Sequence, residues 1–132
     1  MNSGRLSVLV VHTDPRVREA LGAFTRLSLP DATVVVAAPP ATAGTARPDI
    51  AIVELPEPPS APALAAVTAL TTAGSYVLAL APTATHRAAA LEAGAAALLT
   101  HADPPETFTA ALHTARDQHR ETQQNPTRKD PS

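Results

Sequence analysis

With 132 residues, no cysteine and a formal net charge of −2, the chain has room for one domain with one core and none for disulfides, thiolate metal sites or cysteine catalysis. Lys and Arg number 10 against 12 Asp and Glu, which offers neither a basic nucleic-acid surface nor a polybasic membrane patch. Aromatic residues make up 2% of the chain (Phe24, Phe108 and Tyr76), too few for base-stacking platforms, so the core is to be built from Ala, Val and Leu.

Residues 6–11, "LSVLVV", are β-branched and almost wholly apolar, the pattern of a strand covered on both faces. The same run is too short, and lacks the small-residue cleavage site, for a signal peptide. No apolar stretch approaches the roughly 20 residues that span a bilayer. Asp14 and Pro15 then make an N-cap and first helical turn. Val17, Leu21, Phe24 and Leu27 or Ser28 recur at helical spacing, with Arg16, Arg18, Glu19 and Arg26 elsewhere on the surface, and Pro30 ends that helix. A second strand is predicted over 32–38, a short helix in the segment 39–48, and a third strand over 49–54. An Ala-rich helix spans 62–74 and stops at Gly74. A strand follows over 76–81, a helix over 85–94 with Gly94 as its stop, and a short strand over 96–100. The last helix, 103–120, takes Asp103 as its cap and Pro104 in its first turn, with Phe108, Ala111, Leu112 and Ala115 on one face. Residues 121–132, "ETQQNPTRKDPS", hold nothing to bury and are expected to form a disordered tail or linker after a domain over 1–120. Alternation of strand and helix with short connections predicts an α/β fold, a parallel sheet wrapped on both faces.

The stretch "RPDIAIVELPEP" ends a buried strand on a carboxylate, Glu54. It resembles the phosphorylation-site strand of response-regulator receiver domains, which reads like P-D-L-V-L-L-D-L-x-M-P. "VLVVHTDPRVREAL" resembles that family's first strand and helix, V-L-I-V-D-D-x-P-x-V-R-E-x-L. "ALEAGAAALLTHAD" resembles its fourth helix and fifth strand, A-L-x-A-G-A-x-x-Y-L-x-K. The resemblance covers about residues 5–118. It implies a flavodoxin-like, doubly wound five-stranded sheet of order 2-1-3-4-5.

The departures carry the functional information. Where the family has an acidic pair that holds Mg²⁺, this chain has His12 and Thr13; where it has the phosphoacceptor Asp, this chain has Glu54. The Thr or Ser after the fourth strand is Ala81, followed by Pro82. The aromatic switch position is Leu98, and the phosphoryl-binding Lys is His101, with Thr100 as its neighbour in register. Mg²⁺ prefers oxygen ligands in octahedral geometry, and phosphoryl transfer depends on metal and cationic groups that neutralise the moving oxygens. The resemblance therefore implies a pseudo-receiver: a cytoplasmic signalling domain, not an enzyme, that acts by protein contacts through a relic cleft of His12, Thr13, Glu54, Ala81 and His101.

Other chemistries are weaker. No G-x-G-x-x-G or G-x-x-x-x-G-K-[ST] occurs, and no serine sits in G-x-S-x-G. His12, Glu54 and His101 would make an acceptable zinc set, but they come from separate loops without preformed spacing, so no metal or other cofactor is expected. His86, His113 and His119 are expected on solvated helix surfaces. Two alternatives stand beside the interaction module: a small-molecule sensor using the cleft of His12, Glu54, Ala81 and Pro82, and a residual phosphoacceptor at Glu54. As a mimic of a phosphorylated aspartate, Glu54 carries a single charge and lacks the tetrahedral oxygens. Partners are expected to be a protein or a second copy of the chain, with no direct nucleic-acid contact and no membrane. The resemblance places the partner or dimer face at Arg87, Glu92, Leu98, Asp103, Arg116, Asp117 and Arg120.

Overall fold

A computed structural model of the chain describes residues 6–38 and 47–124. Five short β-branched or Ala/Leu runs become strands: β1 (Ser7–Val11), β2 (Thr33–Ala37), β3 (Ile50–Glu54), β4 (Tyr76–Ala81) and β5 (Ala97–Thr100). Every neighbouring pair is parallel, and the order is β2-β1-β3-β4-β5, as expected. Parallel strands need crossover connections, and helices supply them: α1 (Pro15–Ser28), α2 (Ala61–Thr72), α3 (Arg87–Ala93) and α4 (Pro105–Gln124).

The period of two along each strand sorts the core into two layers. Val8, Val10, Ile50, Ile52, Leu78, Leu80 and Leu99 face α1 and α4, where Leu112 and Ala115 meet them. Ala51, Val53, Val77, Ala79, Ala81 and Leu98 face α2 and α3, where Val67, Leu70 and Ala90 close the layer. The second layer is rich in alanine, so α2 and α3 approach closely. The hydroxyls of Thr68 and Thr71 on α2 donate to the carbonyls of Ala93 and Gly94 at the end of α3, at 2.8 and 3.0 Å. Gly94 has φ 122°, and a Cβ there would lie 2.7 Å from the Thr71 hydroxyl, so both space and backbone require glycine.

Several local expectations are refined. Asp14 caps α1, its carboxylate accepting from Arg16 N–H at 2.9 Å. On α1 it is Ser28 that turns inward, reaching Thr109 at 3.3 Å, while Leu27 is 81% exposed. Asp103 does not cap α4: its carboxylate accepts from Thr100 N–H at 2.9 Å and closes the turn after β5. The carbonyl of Pro104 takes the first helical bonds instead, from Thr107 and Phe108. Helix α4 runs to Gln124, four residues past Arg120. The short helix expected in 39–48 falls mostly on residues outside those described; Arg47 and Pro48 are not helical.

Candidate functional site

The chain leaves β1 for β2 on one side and returns to β3 on the other, so the crevice at the carboxyl ends of β1 and β3 is the switch point where open α/β sheets bind ligands. Register brings the site residues there. Val11 pairs with Val53, so the next residues, His12 and Glu54, lie side by side; Glu54 in turn pairs with Leu80, and Ala81 with Thr100.

Glu54 is held rather than free. Thr13 donates to its Oε1 with both the backbone N–H, at 2.9 Å, and the hydroxyl, at 3.0 Å; the hydroxyl also lies 3.3 Å from Oε2. The Glu54 side chain is 23% exposed, and that of His12 only 7%. His12 has its hydrogen-bonding decided by the turn that follows. Asp14 N–H donates to His12 Nδ1 at 3.0 Å. A backbone N–H can only donate, so Nδ1 is the acceptor and the neutral ring carries its proton on Nε2. That nitrogen faces Glu54 Oε2 at 3.6 Å, too long for a hydrogen bond but close enough for attraction to the carboxylate. Burial pushes the His12 pKa below its ordinary value. The carboxylates of Glu54 and Asp14 pull it up, and His101 and Arg18 push it further down. Arg18 also donates to the His12 carbonyl at 2.8 Å, tying α1 to the end of β1.

This donor set does not fit Mg²⁺. One His12 nitrogen is occupied by a backbone N–H and the other bears a proton, while Thr13 presents two donors to the carboxylate that a metal would need. His101 does not complete a zinc set either. It is exposed, no hydrogen bond joins it to Glu54 or His12, and it lines a cavity between α1 and α4. Among the described residues no three His, Cys, Asp or Glu side chains form a group that could hold a metal ion.

Ala81 is buried, and Pro82 is exposed beside it. Two residues on, a hydroxyl that the sequence reading passed over does enter the loop region. Thr83 Oγ1 donates to Glu57 Oε2 at 2.5 Å, linking the loop after β4 to the loop after β3. The signal was a threonine two positions past Ala81. Its partner, 26 residues upstream, was not readable from spacing. His113 and His119 are also not simply solvated: both are half-buried, His113 Nε2 lying 3.1 Å from the Ser28 carbonyl and His119 Nδ1 3.6 Å from Asp49 Oδ1.

The residues expected on a partner face separate into three kinds. Glu92 and Arg120 are exposed. Arg87, Asp103 and Arg116 are engaged within the chain: Arg87 with the Leu98 carbonyl at 3.3 Å, Asp103 with Thr100, and Arg116 with its neighbour Asp117 at 3.1 Å. Leu98 is only 4% exposed and points into the alanine-rich layer under α3, so it is core and not surface. The strand's period of two places Leu98 inward with Ala79 and Ala81.

No family model matches the sequence, and no curated protein matches it. Solved structures do. The receiver domain of a DNA-binding response regulator from Colwellia psychrerythraea superposes with a TM-score of 0.73 at 19% identity, covering 86% of this chain and 99% of that one. The response regulator ChrA of a heme-sensing two-component system matches at 0.67 and 26% identity, over 86% of this chain; the match spans 58% of ChrA. A protein described as a pilus assembly protein from Sinorhizobium meliloti matches at 0.64 and 26% identity, covering 83% of this chain and 99% of that one.

Proposed function

We propose that this chain, whose fold is that of response-regulator receiver domains, is a pseudo-receiver: a bacterial signalling domain that acts through protein contacts without being phosphorylated. The observation that carries the reading is the Glu54 carboxylate held by both donors of Thr13 beside a buried, Nε2-protonated His12. Phosphoryl transfer to a carboxylate asks for a free nucleophilic oxygen and for cations over the transferring group. Here Oε1 is engaged by Thr13, Oε2 faces the buried His12 ring at 3.6 Å, and Ala81 and the exposed His101 supply neither hydroxyl nor ammonium.

On this reading the domain is cytoplasmic, is not an enzyme, and presents its partner surface permanently. That surface is the mixed-charge face of α3, the turn after β5, and α4, with Glu92 and Arg120 exposed on it. Equal identity to the response regulator ChrA and to the pilus assembly protein supports two settings, two-component signalling and pilus assembly. Affinity capture from the native host distinguishes them.

The test of the phosphorylation claim is direct. Incubation of the purified chain with acetyl phosphate and Mg²⁺, followed by intact-mass spectrometry, is expected to show no added phosphate. A stable Mg²⁺-dependent adduct mapped to Glu54 overturns the proposal.

A further inference from the structure

Helices α1 and α4 lie on the same face of the sheet but are joined only toward one end. Ser28 meets Thr109 at 3.3 Å and its carbonyl lies 3.1 Å from His113 Nε2, while Phe24 and Phe108 stack edge to face with centroids 5.7 Å apart. Beside these contacts Val17 and Ala20 of α1 and Pro105 at the start of α4 border an open groove. Its volume is about 540 Å³, within the size range of small-molecule sites, and it is broadly open to solvent. Its interior is apolar, walled by Val17, Leu21, Phe24 and Phe108 over Leu80 of the sheet, and its rim carries Arg16, His101 and Asp103.

The rim has a sign. Arg16 stands in the first turn of α1, where the helix dipole is positive. Among the described residues no hydrogen bond or ion pair engages its guanidinium or the His101 ring. Asp103 is the opposing charge, but one of its oxygens is already committed to Thr100 N–H. An open apolar groove with an unpaired guanidinium at its edge matches a molecule with an apolar body and a carboxylate head, the group that Arg binds in a two-pronged fashion.

We propose that this groove binds a small amphipathic carboxylate, with its hydrocarbon part between α1 and α4 and its head on Arg16 and His101. The site is separate from the Glu54 crevice yet mechanically joined to it. Arg16 N–H is held by Asp14, Asp14 N–H is held by His12 Nδ1, and Leu80 on the groove floor is the register partner of Glu54. A ligand that draws Arg16 toward the groove therefore loads the same turn that positions His12 and Thr13. This gives the domain an input that needs no phosphate, and it holds or fails independently of whether Glu54 can be phosphorylated.

The experiment uses the full chain with sodium octanoate as probe and 1-octanol as its neutral counterpart, read by calorimetry and by amide shifts in two-dimensional NMR. Saturable one-to-one binding of octanoate is expected, with the largest shifts in residues 16–24 and 100–108. Arg16→Gln is expected to weaken octanoate by about tenfold, the scale of one charge-assisted contact, while leaving octanol unchanged. Ala20→Phe, which fills the groove from an exposed helix position, is expected to abolish both. Should Ala20→Phe fail to fold, Arg16→Gln still decides the matter, since it alters only a surface side chain. Octanoate binding weaker than about 1 mM, shifts confined to the Glu54 crevice, equal affinity for octanoate and octanol, or an unchanged octanoate affinity in Arg16→Gln each overturns the proposal.

Discussion

Thr13 donates twice to a single oxygen of Glu54, from its backbone N–H at 2.9 Å and from its hydroxyl at 3.0 Å, so the turn after β1 closes over the end of β3. Removing the hydroxyl with Thr13→Val leaves the backbone bond in place at a partly solvated site. The expected loss is about 0.5–1 kcal/mol in urea denaturation. A loss several times larger would mean that the hydroxyl holds more of the loop than this one carboxylate.

Restoring phosphorylation is expected to need the whole set of replacements: His12→Asp, Thr13→Asp, Glu54→Asp, Ala81→Thr and His101→Lys. Glu54→Asp alone shortens the carboxylate but leaves no carboxylate at His12 and Thr13 to hold a metal, so it is expected to gain no phosphate from acetyl phosphate and Mg²⁺ by intact mass. Phosphorylation of that single variant would show that the turn after β1 is not the obstacle.

His12 sets a pH dependence with a definite sign. Burial lowers its pKa in the folded chain, against the partial opposition of Glu54 and Asp14. The unfolded chain then binds the proton more readily, so stability is full above about pH 6.5 and declines as pH falls below it. Protonation at Nδ1 would in addition break the bond from Asp14 N–H. His12→Asn, whose side-chain oxygen can accept that N–H, is expected to flatten the thermal midpoint between about pH 6.5 and 5. An equal slope in both proteins would assign the effect to other groups.

Gly94 and Gly74 both have positive φ, 122° and 104°, but only Gly94 is crowded. Gly74→Ala is expected to cost about 1–2 kcal/mol, from backbone conformation alone. Gly94→Ala also drives a Cβ to within 3.0 Å of three Thr71 side-chain atoms and is expected to cost about 2–4 kcal/mol. Chemical denaturation of the two variants side by side checks the order. Equal costs would mean that Thr71 moves aside freely.

Self-association through the α3–α4 face is expected to be weak and salt-sensitive, because exposed charge pairs contribute only about 0–1 kcal/mol each and are screened. Arg116 already lies 3.1 Å from Asp117 in the same chain, which lowers what it can add across a two-fold axis. Sedimentation velocity at low and high salt is expected to show a dimer at micromolar protein that Arg116→Glu weakens. A monomer at every concentration and salt level removes the dimer, and an intact Arg116→Glu dimer moves the interface to the face of α1 around Arg16 and Arg26.

Much of this protein is decided by covalent neighbours. A β-branched run such as Ser7–Val11 buries alternate residues on two faces, the Asp14-Pro15 pair starts a helix, and glycines at 74 and 94 end helices where backbone freedom is needed. With short connections those local choices predict a parallel sheet wrapped by helices, and the order β2-β1-β3-β4-β5 was implied by the family resemblance. Of the residues expected in the cleft, strand register sets His12 beside Glu54, while His101 lines the groove between α1 and α4. The state of these residues was not legible in the sequence. That Thr13 captures Glu54, that Asp14 N–H selects the His12 tautomer, that Asp103 turns back to Thr100, and that Leu98 rather than a surface side chain lies under α3 depend on atoms from distant segments meeting at hydrogen-bond or van der Waals distance. The groove between α1 and α4 has the same origin, since the contacts beside it, Ser28 with Thr109 and Phe24 with Phe108, join residues far apart in sequence and no local pattern records them.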